Sequence, residues 1–156
     1  NKEDLINQVL SRHVSQEKET ILSISEKAAN AIEEVAEIGR HVTRMLRTMN
    51  PTVLYDMQKY YTKQWQMYTE FKMTFVYSTI KANIEKGVSQ GLYRRDMRPD
   101  VIAKLYIARM DVFMDQELFP ANEYSMLNIY HEYLRYHIRG MATEKGMKIL
   151  ESQNFE

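Results

Sequence analysis

The chain has 156 residues and a mass of 18.6 kDa, with no cysteine and 21 basic against 21 acidic side chains. That length makes one ordinary domain; the missing thiols exclude disulfides and cysteine-based zinc sites, and a zero net charge argues against the chain gripping nucleic acid by itself. No run approaches the roughly 18 apolar residues of a membrane span, and the scarcity of glycine and proline predicts long regular elements.

Asn1 is a capping residue with Glu3 and Asp4 in the first turn behind it, where the helix dipole favours acids. Leu5, Ile6, Val9, Leu10, Val14, Ile21 and Ile24 continue as a helical stripe over 1–25. The stripe thins between Val14 and Ile21, as in a helix packed at both ends that crosses solvent between them. Over 26–49, Ala28, Ala31, Val35, Ile38, Val42, Met45 and Met49 fall at spacings of 3 and 4. Glutamates lead this helix and Arg40, Arg44 and Arg47 close it.

Asn50-Pro51 starts a short helix over 51–62, with proline at the first helical position. A longer helix over 63–89 ends at Gly91, and the polar turn of residues 94–98 leads to Pro99. The last two helices, 99–115 and 124–141, carry apolar side chains around most of their circumference. A helix apolar all round is buried all round. Two arrangements satisfy this: a central layer in a monomer, or a homodimer in which the two pairs close a four-helix bundle. The dimer hides more surface and is preferred. The fold class is all-α, with about six helices in one domain.

Catalytic patterns are missing. His131-Glu132 opens like a zinc-protease motif, but Arg135 stands where the second histidine belongs. No Glu-x-x-His pairs exist for a di-iron site, and Ser23, Ser78 and Ser89 have no base nearby in sequence. Glu37 and His41, four apart, read as a helix-surface pair. The sequence therefore predicts no enzyme, no metal and no cofactor.

The surplus of methionine and tyrosine, eleven of each, admits two readings: an adaptable core or a ligand cavity. In helix 63–89 the stripe of Trp65, Tyr68, Phe75 and Val76 also contains Lys72, Thr79 and Asn83. Buried polar groups need partners, from a ligand, water or tyrosine hydroxyls. Lys72 is expected to snorkel to the surface.

The opening Asn1-Lys2-Glu3-Asp4-Leu5-Ile6 resembles the end of the DNA-binding domain in the tetracycline-repressor (TetR) family, where a helix-turn-helix closes in an F-x-N-K-E-x-L run. Ile84, Gly87, Gly91, Leu92, Tyr93, Arg94 and Asp96 resemble that family's I-x-x-G-x-x-x-G-x-[FY]-R-x-D junction. Asn50-Pro51 and the run from Leu134 to Gly140 recur in one branch of it. The resemblance spans nearly the whole of 1–156 and implies a TetR-like ligand-sensing and dimerisation domain of a bacterial, cytoplasmic transcriptional regulator. The connecting helix would be 1–25. The helix-turn-helix itself is not in this chain, so operator DNA is expected to be met only through that domain.

On this reading an unknown small hydrophobic or amphipathic effector is lined by Met45, Met49, Tyr61, Trp65, Tyr68, Lys72, Phe75, Asn83, Tyr106 and Met110. The homodimer forms through Ile102, Tyr106, Val112, Phe113, Met126, Ile129, Tyr130, Tyr133 and Tyr136. Two other classes stay open, a homodimeric interaction module without ligand or DNA and a helical enzyme of unfamiliar type.

Overall fold

The computed structural model describes residues 1–50 and 52–153. Its helices are α1 (Lys2–Lys27), α2 (Ala31–Thr48), α3 (Thr52–Tyr60), α4 (Thr62–Phe71), α5 (Tyr77–Ser89), α6 (Pro99–Val112), α7 (Met126–Met141) and α8 (Glu144–Ser152). A π-helical turn, Lys72–Val76, joins α4 to α5. Among the described residues the one extended pairing is an isolated antiparallel bridge between Tyr93 and Ala142. Pro51, expected at a helix start, lies outside the described residues.

The ends of these helices follow local chemistry. Asn1 and Asp4 form a reciprocal capping box at α1. Asn30 caps α2 by accepting from the Glu33 amide at 2.9 Å, and Gln90 accepts from the Ala31 amide at 2.9 Å. These two contacts correct the expected start of the second helix at residue 26: Ala28 is extended and closes α1 instead. Ser125 and Thr143 cap α7 and α8 in the same manner. The single predicted helix over 63–89 is likewise corrected to two helices with a π turn between them.

Helix α2 is the central rod, packed against α1, α5, α7 and α8. Gly39 lets α7 approach closely, because a Cβ there would stand 2.6 Å from a Leu134 methyl carbon. Helix α5 lies along α6, and α3 rests on α4. The core is built from Ile32 and Val35 of α2, Ile80 and Ile84 of α5, Ile107 of α6, and Leu134 and Ile138 of α7.

The segment after α5 is a lock. Gly91 takes φ +70°, open to glycine at no steric cost, and the Leu92 and Tyr93 amides both donate to the Gly87 carbonyl at 2.9 and 3.0 Å. Tyr93 then folds back over Gly87, where a Cβ would sit 2.1 Å from its ring. Its hydroxyl donates to Asn83 Oδ1 at 3.0 Å, and Asn83 Nδ2 donates to the Ala31 carbonyl at 2.9 Å. Arg94 donates its amide to the Met141 carbonyl and Thr143 donates its amide to the Leu92 carbonyl. The I-x-x-G-x-x-x-G-x-Y stretch is thus a structural clasp joining α2, α5, α7 and α8.

Helix α1 is held differently from the expectation. Its middle is docked: His41 Nε2 meets Glu17 Oε2 at 2.8 Å, and the Lys18 ammonium stands 5.8 Å from the Phe75 ring centre. Near its start, Gln64 donates to Asn7 Oδ1 at 2.8 Å, while Leu5 and Val9 remain exposed. The polar middle thus packs through polar and aromatic partners. The expected Glu37–His41 pair is also corrected, since Glu37 binds Arg40 and His41 binds Glu17.

Candidate functional site

The π turn sets the geometry of the interior. Tyr77 donates its amide to the Lys72 carbonyl, five residues back, and the Thr74 hydroxyl donates to the Glu70 carbonyl at 2.7 Å. A π turn holds one residue more than an α turn, so the inward stripe of α4 resumes one position late in α5. Ile80 and Ile84 are buried, and Thr79 stands half-buried beside them. The same turn directs Lys72 inward.

The Lys72 side chain is 4 % exposed and its ammonium donates to Asp111 of α6, whose side chain is 51 % exposed. Lys72 therefore does not reach open water, which corrects the expected snorkelling. Its cation is met from one side by Asp111 and from another by the Tyr68 ring, 5.8 Å away. Trp65 leans on Tyr68 with centroids 5.4 Å apart. Burial, then the nearby Asp111 and Tyr106, push the Tyr68 hydroxyl up to about 12.

From Tyr106 the polar aromatic file continues into α7. Its ring lies 5.6 Å from Tyr133 and 5.2 Å from His137, and Phe113 stacks against Tyr133 at 5.2 Å. His137 Nδ1 and the Tyr133 hydroxyl are 3.4 Å apart. Burial and then the Arg109 cation hold the His137 imidazole down at about 4, so it is neutral at physiological pH. The Tyr130 hydroxyl is buried beside the Tyr106 hydroxyl, with which it shares a hydrogen bond. It points toward Gly39, 3.9 Å from where a Cβ would stand. Burial pushes the pKa of both the Tyr106 and Tyr130 hydroxyls up, so that both stay protonated. This file offers hydroxyls, one ammonium and aromatic walls, which suit an amphipathic molecule; it presents no activated nucleophile. Among the described residues no group of three or more histidines and carboxylates could hold a metal ion.

The outer side of α6 and α7 has a different character. Val101, Leu105 and Val112 of α6 are exposed on one stripe with Ala108, and Tyr136 of α7 is 68 % exposed. The Arg109 guanidinium lies over both Tyr133 and Tyr136, at 5.2 and 5.6 Å. Gly140, one turn beyond Tyr136, is exposed with open space where its Cβ would be. An apolar stripe flanked by small residues and a flat cation–aromatic stack suits close approach of another helix pair.

The structure resembles that of the ketosteroid transcriptional regulator KstR2 of Mycobacterium tuberculosis, a TetR-family regulator, with a TM-score of 0.66 and 13 % identity. The match covers 92 % of this chain and 74 % of that one. The chain has a TetR-like fold. No family model matches the sequence, and a search of curated proteins finds no match either. No helix among the described residues is long and apolar enough to cross a membrane.

Within this TetR-like fold the ten predicted lining residues separate. Tyr68, Lys72 and Tyr106 come together around Asp111, with Trp65 beside Tyr68 and Met110 packed against the core. Phe75 stacks on Phe71 at 5.6 Å under Lys18. Met45 and Met49 are half-buried at the end of α2, and Tyr61 is half-buried just before α4. The Asn83 amide is used within the clasp. Among the described residues the surface carries an open groove of about 550 Å³ between α1 and α2, beside Ser23, Lys27 and Glu37, and a pocket of about 220 Å³ beside Thr43, His131 and Arg139. None of the ten residues lines either pocket.

The nine predicted interface residues also divide. Tyr106, Tyr130 and Tyr133 are buried inside the chain, where ring meets ring between α6 and α7. Ile102, Phe113, Met126 and Ile129 are half-buried, while Val112 and Tyr136 are exposed. Within the single chain α6 and α7 each cover one face and leave the other open, with Val101, Leu105, Val112 and Tyr136 exposed on it. Sequence reasoning missed Val101 and Leu105, although with Ala108 and Val112 they repeat at spacings of 4, 3 and 4. It also missed Asp111, whose partner Lys72 lies 39 residues away in the chain.

Proposed function

We propose that this chain is the effector-sensing and dimerisation domain of a TetR-like transcriptional regulator. The observation that carries the reading is its likeness of fold to a transcriptional regulator over 92 % of its length. In this account the outer stripe of α6 and α7 pairs with that of a second copy about a two-fold axis. The effector, small and hydrophobic or amphipathic, occupies the interior around Tyr68, Lys72 and Tyr106. In this account operator DNA is met through a helix-turn-helix domain, as the sequence resemblance implies, and the regulator acts in the cytoplasm.

Transmission follows from the contacts. The π turn carries Lys72 on its inner side and Phe75 under Lys18 of α1. A molecule seated at Lys72 bears on the same five-residue turn that braces α1. Tilting α1 changes the separation of two DNA-binding heads relative to successive major grooves. The effector shifts affinity only by its preference for one spacing, typically about 1–3 kcal/mol of coupling.

A second reading, a homodimeric interaction module without ligand, draws support from the pockets, neither of which touches a predicted lining residue. Thermal-shift measurements on this chain with hydrophobic and amphipathic small molecules separate the two. The sensor reading predicts stabilisation by some of them that Tyr106→Ala abolishes; stabilisation by none contradicts it and leaves the interaction module.

A further inference from the structure

We propose that the effector carries an anionic head group, a carboxylate, which binds the Lys72 ammonium by taking the place of Asp111. The inference rests on the sensor reading above, because it names the chemistry of that same site.

The ion pairs of this chain differ in which end is sealed. Lys81–Glu85 and Arg135–Glu132 have both ends in water, and in Lys86–Glu34 the carboxylate is the covered partner. Lys72–Asp111 is reversed: the cation is 4 % exposed and the anion 51 % exposed. A buried ammonium without a countercharge is strongly disfavoured, so an anion must stay beside Lys72. Which anion is open to exchange. Asp111 can swing into water and recover its hydration, whereas Lys72, fixed by the π turn and capped by the Tyr68 ring, cannot follow it.

Two further features lower the cost of its departure. Asp111 lies in the last turn of α6, where the helix dipole disfavours a negative charge. Among the described residues its carboxylate also loses no other cation on leaving, since Lys72 is the one that pairs with it. An incoming carboxylate restores the charge-assisted bond, and an apolar tail behind it meets the Trp65, Tyr68 and Tyr106 rings. A structural ion pair needs neither the asymmetry nor the aromatic wall.

The test is rescue. Asp111→Ala leaves the ammonium without its anion; Asp111→Asn serves if that variant does not fold. At constant ionic strength, formate, acetate, hexanoate and octanoate are titrated against each protein, with hexanol and octanol as neutral controls. The carboxylates are expected to raise the melting temperature of Asp111→Ala, the longer ones at lower concentration, and the alcohols not to. The double variant Lys72→Met/Asp111→Ala is expected not to respond. In the unaltered chain octanoate is expected to change the emission of Trp65, its single tryptophan, with binding weakened about tenfold or more by Lys72→Met.

Equal rescue in the single and double variants overturns the proposal. So does a response of Asp111→Ala alone, with the unaltered chain silent, because Asp111 is then not displaceable. Octanol and octanoate acting alike, unaffected by Lys72→Met, overturn it while leaving a sensor of neutral molecules. If every compound is without effect on any of the proteins, both readings fall together.

Discussion

His137 lies among Tyr106, Tyr133 and Arg109, and its titration makes a residue-scale prediction. Burial and the Arg109 charge hold its imidazole at about 4 when folded, against the ordinary 6.5. Between these values the unfolded chain binds the extra proton and the folded chain does not. This contribution is therefore fully present above about pH 6.5 and is lost as pH falls toward 4. Urea unfolding should show about 2 kcal/mol less stability from this group at pH 5 than at pH 7, a difference that His137→Phe removes. An unchanged pH dependence in that variant would show that His137 is not held neutral. The Tyr130 hydroxyl supplies a second prediction. It is buried beside the Tyr106 hydroxyl, with which it shares a hydrogen bond, so Tyr130→Phe removes that bond and should lower stability by about 1 kcal/mol, or roughly 2–4 °C in Tm. An unchanged or higher Tm by calorimetry would mean that the contact with Tyr106 contributes nothing to stability.

At the scale of elements, the clasp after α5 is the feature most plainly written in the sequence. The spacing of Gly87, Gly91 and Tyr93 is readable as a motif, and each position has a steric reason. Gly87→Ala would put a methyl group 2.1 Å from the Tyr93 ring, where that ring is also tied to Asn83. The substitution should cost about 2–3 kcal/mol or more through overpacking and loss of the tyrosine bond. Thermal melts of Gly87→Ala and the unaltered chain give the comparison, and equal stability would contradict the clasp. Helix α2 was legible too, because an uninterrupted stripe leaves one packing face. Its start was not, since Ala28 fits the stripe while Asn30 and Gln90 decide the cap from across the fold. The π turn was hidden for a related reason. Its inward Lys72 is stable only because Asp111 stands opposite, and periodicity within one segment carries no record of a partner 39 residues away.

For the whole molecule, aromatic composition misled where it was richest. Tyr106, Tyr130 and Tyr133 suggest an interface on apolar area alone, yet large rings also fill the seam between α6 and α7 of a single chain. What remains outside is smaller and more specific: Val101, Leu105, Ala108 and Val112 on α6, with Tyr136 and Gly140 on α7. Shared circumference in the sequence thus resolves into an inner face packed within the chain and an outer face that, on the proposed reading, meets a second copy. Gly140 matters at this scale, because a methyl group there meets nothing within the single chain but would intrude where the proposed second copy presses its helices.

Sedimentation equilibrium of the unaltered chain beside Leu105→Glu tests the dimeric sensor most directly. Leu105 is 51 % exposed, so the charge leaves the monomer fold intact while burying an unpaired carboxylate in any α6–α7 interface. The account predicts twice the 18.6 kDa chain mass for the unaltered protein at micromolar concentration and the single-chain mass for the variant. A monomeric unaltered chain, or a dimer that Leu105→Glu leaves undisturbed, would contradict it.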